Sequence, residues 1–225
     1  MIIKKIEAQR YQDGKFTKII EDVVNDIELN IYHNNELLTS ITTIDEELDY
    51  LAAGYLYDKG YIRDSADLIN LTLNGSKAQY SSDNSKNVDN KLIIYETLDS
   101  IVNNDHYLSI IEIFNEKSEV FIKTGGVHGA MIFGETDDKV RFFKDIARHN
   151  NILRACGYIL YNCDYSMPDI MVSSRVNREI VEMASRVGFK SILCRGAPSS
   201  GGIIASKKNK LVLRAFARQG RFTLF

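Results

Sequence analysis

The sequence has no tryptophan, only two prolines and only three cysteines among its 225 residues. The cysteines, Cys156, Cys163 and Cys194, have no spacing typical of a metal site. An odd, unpatterned set indicates reduced thiols and a cytoplasmic protein. No apolar run approaches the roughly 18 residues that a membrane span needs, and the first residues lack the apolar core of a signal peptide. We therefore expect a globular protein that does not act in a membrane.

Several enzyme motifs are also missing. The phosphate-binding patterns G-x-x-x-x-G-K-[ST] and G-x-G-x-x-G do not occur, and neither does the nucleophile elbow G-x-S-x-G. A zinc deaminase needs H-x-E followed by P-C-x-x-C. Here His149 precedes two asparagines, and Ser173–Arg175 stands where cysteines would be needed. The chain has the strand and helix order of a deaminase, and we expect no zinc.

Acidic residues are absent from the last fifth of the chain. Residues 183–225 contain nine lysines and arginines, whereas all 30 acidic residues lie in residues 1–182. A concentrated positive field suits an anionic partner, such as a nucleotide, a nucleic acid or an acidic protein face. The alternative is a basic edge that balances an acidic lobe in a dimer.

The first 119 residues predict a β-rich lobe followed by a hairpin and helices. Turn residues place hairpins at Asp13-Gly14, Asn34-Asn35 and Asn74-Gly75. A helix follows the second hairpin, with a capping box of Thr43 and Glu46. Its apolar stripe consists of Leu48, Leu51, Ala52, Tyr55 and Leu56. Gly60 is predicted to cap its C-terminal end. Residues 81–90 predict a polar loop, and residues 91–104 and 107–118 predict two helices. The predicted segments are 1–62 for the lobe with its first helix and 63–119 for the rest.

Residues 120–225 predict an α/β layer. A hairpin joins "GGVHGAMIF" to "KVRFF", and helices then alternate with strands to the end of the chain. This alternation favours a sheet in which parallel strands dominate. Ligands of such sheets lie beyond the carboxyl ends of the strands. Three loops are expected there, at residues 144–150, 173–179 and 194–202.

Polar residues in these loops are candidates for binding an anion. Arg148 offers a guanidinium fork to a phosphate, with His149 and Asn150 beside it, and Ser173–Arg175 repeats the arrangement after the next strand. The alternative for each loop is a helix cap with a solvated arginine. His128, directly after a glycine pair and Val127, either faces a ligand or is a core histidine at the entrance of a strand.

The cysteines are weak candidates for a nucleophile. Cys156 and Cys163 lie seven residues apart on one face of a predicted helix, as core cysteines do. Cys194 ends an apolar strand next to Arg195, whose charge would lower the thiol pKa if the pair were exposed. The alternative for Cys194 is buried packing.

Together, "TGGVHGAMIF", "RHNNIL", "SSRVNRE" and "FARQGRFTLF" resemble the FdhD family of formate dehydrogenase accessory sulfurtransferases. The resemblance runs along nearly the whole chain in the same order, with gaps around residues 65–115. It implies a three-layer α/β/α domain of the cytidine-deaminase type over residues 120–225, an N-terminal β-rich lobe and a homodimer.

The resemblance also implies a ligand and partners. The ligand is the guanine-nucleotide end of bis-molybdopterin guanine dinucleotide, which carries molybdenum or tungsten, with GDP or GMP as surrogates. The partners are a cysteine desulfurase, which supplies sulfur, and formate dehydrogenase or a related molybdoenzyme or tungstoenzyme. Carried over by motif, the contacts are Thr124, Gly125, Gly126, His128, Arg148, His149, Asn150, Ser173, Ser174, Arg175, Phe216, Ala217, Arg218, Gln219, Gly220 and Arg221.

The chain departs from the family at one functional position. Family members carry a Cys-x-x-Cys pair ahead of the "TGG" motif, whereas here no cysteine precedes Cys156. Persulfide transfer requires an accessible thiolate. Two hypotheses follow: a maturation factor that presents the cofactor, with sulfur from another protein or from Cys194, and a non-catalytic carrier or regulator that binds a nucleotide or a pterin cofactor. A third, a nucleic-acid-binding module, lacks a recognised motif.

Overall fold

The computed structural model describes residues 1–82, 104–134, 136–162 and 169–225. Residues 83–90 of the predicted polar loop, residues 91–103 of the helix predicted over 91–104, and Cys163 lie outside these ranges. Within them the strands are β1 (Ile3–Gln12), β2 (Lys15–Val24), β3 (Asp26–His33), β4 (Glu36–Ile44), β5 (Leu71–Asn74), β6 (Lys77–Tyr80), β7 (His128–Phe133), β8 (Val140–Asp145), β9 (Asp169–Val172), β10 (Ser191–Cys194), β11 (Val212–Arg218) and β12 (Arg221–Leu224). The helices are α1 (Leu48–Asp58), α2 (Asn104–Glu116), α3 (Glu119–Thr124), α4 (Arg148–Asn162), α5 (Arg178–Val187) and α6 (Ser200–Lys208), with a 3-10 helix at Ser65–Asn70.

The N-terminal strands form two separate sheets. β1 and β2 pair only with each other around Asp13 and Gly14, whose φ angles of 52° and 79° fit a tight hairpin turn. A four-stranded sheet has the order β4-β3-β6-β5 and contains the other two predicted hairpins. β6 runs parallel to β3, so the hairpin around Gly75 shares a sheet with the N-terminal lobe. All three predicted hairpins are confirmed, while the boundaries of the three segments stay a prediction.

The predicted capping box at the start of α1 is wrong. The helix begins at Leu48 after Glu47, whose φ of 45° is left-handed, and no side chain caps it. Thr43 lies in β4 instead, is fully buried, and donates its hydroxyl to Asp145 at 2.5 Å. The predicted apolar stripe is confirmed, since Leu48, Leu51, Ala52 and Leu56 are buried and Tyr55 packs against the core. Gly60 follows the C-terminal cap Lys59, as predicted, with a φ of 75°.

Helices α1 and α4 cross with their backbones in close contact. A Cβ on Gly54 of α1 would lie 1.9 Å from the carbonyl oxygen of Leu153 in α4. A Cβ on Gly157 of α4 would lie 2.0 Å from the carbonyl oxygen of Tyr50 in α1. The two glycines therefore allow a crossing that a larger residue would block, and they join the N-terminal lobe to the α/β domain.

The six-stranded sheet has the order β12-β11-β10-β9-β7-β8. The expectation that parallel strands dominate it is wrong. Three of its five neighbouring pairs are antiparallel, because β7 forms a hairpin with β8 and also lies antiparallel to β9, and because β12 turns back along β11. The predicted order of helices and strands in this domain is confirmed.

Helices cover both faces of this sheet. On one face, Ala130, Ile170 and Ile192 pack into a core that α4 and α5 share. On the other face, their sequence neighbours Met131, Met171 and Leu193 pack against α2. Side chains alternate between the faces of a strand, so one sheet serves both cores. The predicted three-layer α/β/α domain with an N-terminal β-rich lobe is thus confirmed. Within the described ranges, no helix combines the length and the apolar composition needed to cross a bilayer.

Candidate functional site

A cavity of about 420 Å³ opens at one edge of the six-stranded sheet. The start of β7 and the carboxyl ends of β8, β9 and β10 meet at this edge, because His128 pairs with Asp145, and Val172 pairs with both Ala130 and Cys194. The segment that joins α2 to α3 forms the opposite wall. The predicted meeting of the loops at one edge is confirmed. We call this space the basic cavity.

Cationic side chains line the basic cavity. The described residues that line it include Lys117, Lys144, Arg195 and Arg218, and none of the described lining residues is acidic. Lys144 is partly neutralised, because its Nζ lies 2.7 Å from Glu46 Oε2. Within the part of the chain that the structure describes, Lys117, Arg195 and Arg218 form no ion pair, so a bound anion can contact them.

The rest of the lining is largely aromatic and aliphatic. Phe114 and Phe142 pack edge to face with ring centroids 5.2 Å apart. The other apolar lining residues are Val120, Phe121 and Val127. A cavity lined by both apolar and cationic residues fits a ligand that joins a flat heteroaromatic ring to phosphate groups.

His128 lies at the wall of the cavity and is exposed. Its Nδ1 is 3.4 Å from Ser173 Oγ, and its backbone carbonyl accepts a hydrogen bond of 3.1 Å from Asn151. Partial burial and then the charge of Arg148 lower the pKa of His128 below its ordinary value of 6.5. The ring is therefore neutral at neutral pH. It is not a core histidine, and its contact with a ligand stays a prediction.

The serine loop after β9 enters the cavity at one residue. Ser173 lines it, and its Oγ accepts a hydrogen bond of 3.0 Å from the amide of Gly129. Ser174 is buried, and its hydroxyl donates to the carbonyl of Arg175. Arg175 is exposed and lies outside the described lining of the cavity.

The "RHN" segment supports the site without lining the cavity. Arg148 begins α4 near His128, and its Nε is buried without a hydrogen-bond partner among the described residues. His149 Nε2 lies 3.0 Å from Glu179 Oε2 in α5. Asn150 is buried and donates 3.0 Å hydrogen bonds to the carbonyl of Thr42 and to Asp145. Contact with a ligand stays a prediction for all three.

The glycine pair lies at the end of α3. Thr124 is the last residue of this helix, and its hydroxyl donates to the carbonyl of Val120 and accepts from the amide of Gly126. Gly125 ends the helix with a φ of 63°. None of the three lines the cavity, so their predicted approach to a ligand remains untested.

The C-terminal segment from Phe216 to Arg221 brings one residue into the cavity. Gln219 and Gly220, with φ angles of 53° and 68°, form the turn between β11 and β12. Arg218 lines the cavity, while its cross-strand partner Arg221 is exposed outside the lining. Ala217 is buried, and the amide of Phe216 donates to the carbonyl of Gly196.

Both described cysteines are buried. Cys194 is fully shielded from solvent, its Sγ donates to the carbonyl of Gly196, and burial raises the pKa of the thiol to about 12. Arg195 lines the cavity and does not lower the pKa of this thiol. Burial likewise raises the pKa of Cys156. Cys194 is therefore a packing residue, as the alternative interpretation predicts.

Sequence reasoning missed three cations of the cavity: Lys117, Lys144 and Arg195. Arg195 belongs to the acid-free segment, so charge counting pointed to its region. Lys117 follows α2 and Lys144 lies in β8, and single lysines at such positions are usually solvated. Only the fold shows that they face the same space.

Comparison with known proteins agrees with this architecture. A model of the FdhD/NarQ family matches residues 82–225. The chain belongs to the FdhD/NarQ family. Protein FdhD of Methanocaldococcus jannaschii is 24% identical over 230 residues, which cover 100% of this chain and 96% of the relative. Sulfur carrier protein FdhD of Listeria innocua is 26% identical over 257 residues, covering 100% and 97%.

A solved structure has the same fold as this FdhD/NarQ protein. The crystal structure of a protein from Desulfotalea psychrophila, assigned as a formate dehydrogenase accessory protein, superposes with a TM-score of 0.86. The two sequences are 20% identical, and the match covers 100% of this chain and 96% of the other. At this level of identity the likeness establishes the fold.

Proposed function

We propose that this FdhD/NarQ protein binds the guanine-nucleotide end of bis-molybdopterin guanine dinucleotide in the basic cavity and assists the maturation of formate dehydrogenase. The observation that carries the proposal is the lining of the cavity, which combines cations with aromatic residues and contains no described acidic residue. The relatives' names, sulfur carrier protein FdhD and formate dehydrogenase accessory protein, support the same role.

The size and chemistry of the cavity support one nucleotide end as its occupant. A volume of about 420 Å³ lies in the range of roughly 300–1,000 Å³ that small-molecule sites occupy. Arg195 and Arg218 are placed to pair with a diphosphate, since guanidinium groups bind phosphate oxygens in a bidentate manner. Phe114 and Phe142 offer apolar surface to a base. The metal-bearing end of the cofactor then extends toward a partner protein.

The protein's own contribution is to hold and orient the cofactor. Its phosphates are neutralised by Arg195, Arg218 and Lys117. The apolar residues that line the cavity exclude water from the base. Neutral His128 accepts a hydrogen bond or gains a proton when a phosphate approaches. Arg148 at the start of α4 adds positive charge near these phosphates, and its Nε has no hydrogen-bond partner among the described residues. The cofactor itself supplies the metal that receives sulfur.

Sulfur transfer in this chain follows a different route from that of relatives with the Cys-x-x-Cys pair. No cysteine precedes Cys156, and both described thiols are buried with raised pKa values. We propose that a cysteine desulfurase supplies the sulfur while this chain holds the cofactor, and that the chain works as a homodimer in the cytoplasm.

A second candidate function rests on the same thiol chemistry. A chain that binds the cofactor without carrying sulfur can serve as a carrier or regulator with no catalytic role. Sulfur that passes from a cysteine desulfurase to the cofactor only when this protein is present favours the maturation factor. No such transfer, together with intact GDP binding, favours the carrier or regulator.

Titration with GDP by calorimetry tests the proposed site. Arg218→Ala removes a cation of the cavity, and Arg221→Ala removes an exposed arginine from the other side of the same turn. We expect Arg218→Ala to weaken GDP binding about tenfold or more, because charge-assisted hydrogen bonds contribute about 1.5–3 kcal/mol. Arg221→Ala should change the affinity by less than about threefold. No GDP binding by the wild type contradicts the proposed function, and equal losses in both variants contradict the placement of the site.

A further inference from the structure

The N-terminal hairpin rests on a wall of the basic cavity. β1 and β2 form a sheet of their own, and β2 packs against α3. A two-stranded hairpin is at best marginally stable alone in water, so this contact matters to it. α3 contributes Val120 and Phe121 to the lining of the cavity. One short helix therefore separates the hairpin from the candidate ligand site.

The contact is closest at the turn that follows α3. A Cβ on Gly126 would lie 2.7 Å from Val24 Cγ2, a distance at which one of the two groups must move. The φ angle of Gly126 is not positive, unlike that of Gly125. The space that Val24 occupies, and not the backbone conformation, is what favours glycine at position 126. Gly125 ends the helix, and Gly126, which has no Cβ, leaves space for Val24 of the hairpin.

Among the described residues, α3 buries little apolar surface that would hold it in place. None of its six side chains is buried, and Phe121 and Ile122 are 45% and 74% exposed. Its hydrogen bonds include those from the amide of Ile122 to Ser118 and from the amide of Gly125 to Phe121, which stabilise the helix internally. Segments with few buried apolar contacts open at low free-energy cost. The position of α3 thus depends on its two ends and on the hairpin.

We propose that Gly126 is a positioning residue, through which Val24 of the N-terminal hairpin holds α3 as a wall of the basic cavity. Displacement of the hairpin loosens α3 and weakens ligand binding. The inference rests on the proposed function, since the ligand is the nucleotide end named there. It assigns Gly126 to the contact with the hairpin, whereas the family resemblance places it against the ligand.

A pair of substitutions separates the two roles of Gly126. Gly126→Ala introduces the clash with Val24, and Val24→Ala in the same chain removes the methyl group that causes it. Each variant is titrated with GDP by calorimetry, and the hydrogen exchange of residues 119–124 is measured without ligand. Gly201→Ala is the matched control, because its added Cβ meets only ordinary contacts at 3.8 Å and 3.9 Å.

We expect Gly126→Ala to weaken GDP binding about tenfold and to speed exchange in α3, since overpacking forces the hairpin and the turn apart. The double variant should recover both properties to within about threefold of the wild type, because the Cβ added at position 126 fills the space that Val24 Cγ2 leaves and keeps the hairpin in contact with α3. The proposal is overturned if Gly126→Ala leaves the exchange of α3 unchanged. It is also overturned if Val24→Ala fails to restore affinity, because Gly126 then acts on the ligand directly. If the wild type does not bind GDP, the proposed function fails while the exchange data still decide the role of Gly126.

Discussion

Arg154 and Asp145 form an ion pair that is almost fully shielded from water. The Nη2 of Arg154 lies 2.8 Å from Asp145 Oδ2, and the two side chains are 1% and 0% exposed. Arg154 also donates to Thr43 Oγ1 and to the carbonyls of Ile44, Glu46 and Glu47. The pair therefore fastens the connection between β4 and α1 to the α/β domain.

Breaking this pair should destabilise the protein strongly. Removal of one partner leaves a buried charge without compensation, which costs about 3–5 kcal/mol. We expect Arg154→Met to lower the free energy of unfolding by that amount in urea titrations followed by circular dichroism. Arg10→Met is the matched control, because its partner Glu21 and Arg10 itself are exposed, and such pairs contribute about 0–1 kcal/mol. Similar losses in both variants would contradict the role given to the buried pair.

The glycine crossing of α1 and α4 predicts that Gly157 tolerates no larger residue. Alanine is favoured over glycine within a helix by about 1 kcal/mol. At Gly157, however, the added Cβ would meet the backbone of Tyr50 at 2.0 Å, and a backbone cannot rotate away. We expect Gly157→Ala to lower the thermal midpoint by several degrees, while Gly201→Ala in α6 leaves it unchanged or raises it by a few degrees. A Gly157→Ala protein as stable as the wild type would show that the helices are further apart than described.

His128 should titrate below the ordinary range of histidine. Its folded pKa is lowered, so the folded state binds fewer protons than the unfolded state, and His128 costs stability as the pH falls below about 6.5. A diphosphate in the cavity favours the protonated ring, so GDP affinity should rise between pH 8 and pH 6. Proton NMR of the histidine Cε1 resonances, assigned with His128→Gln, measures the shift. Arg148→Ala should raise the pKa of His128, and an unchanged value would exclude Arg148 as a cause.

Cys194 should resist alkylation in the folded protein. With a thiol pKa of about 12, its thiolate is scarce at pH 8, and burial also blocks the reagent. We expect iodoacetamide to label the Cys194 peptide at least about a hundredfold more slowly in buffer than in urea, as measured by mass spectrometry. Rapid labelling of the folded protein would show that Cys194 is accessible and able to carry sulfur.

Local sequence patterns predicted the elements that local chemistry controls. Asp13-Gly14 and Asn34-Asn35 fold into turns with positive φ angles, as such pairs favour. The capping box failed for the opposite reason. Thr43 hydrogen-bonds to Asp145, which is 102 residues away, and no pattern within β4 or α1 reveals that partner.

The candidate site was predictable only in part for a similar reason. The motifs marked the right edge of the sheet and included His128, Ser173 and Arg218, which line the cavity. Lys117 and Lys144 come from elements whose approach depends on the folded sheet. The motif predicts that Asn150 contacts a ligand, whereas its side-chain amide donates hydrogen bonds to the carbonyl of Thr42 and to Asp145.

The hydrogen bonds between Arg154 and Thr43 also bear on the order in which the chain folds during synthesis. The two residues are 111 positions apart, so the β4–α1 connection stays without its partner until the ribosome has released α4. Contacts of such long range slow folding, and domains emerging from the ribosome fold as units. The N-terminal lobe therefore waits for more than half of the chain, and a chaperone has its longest opportunity to bind α1 during that interval.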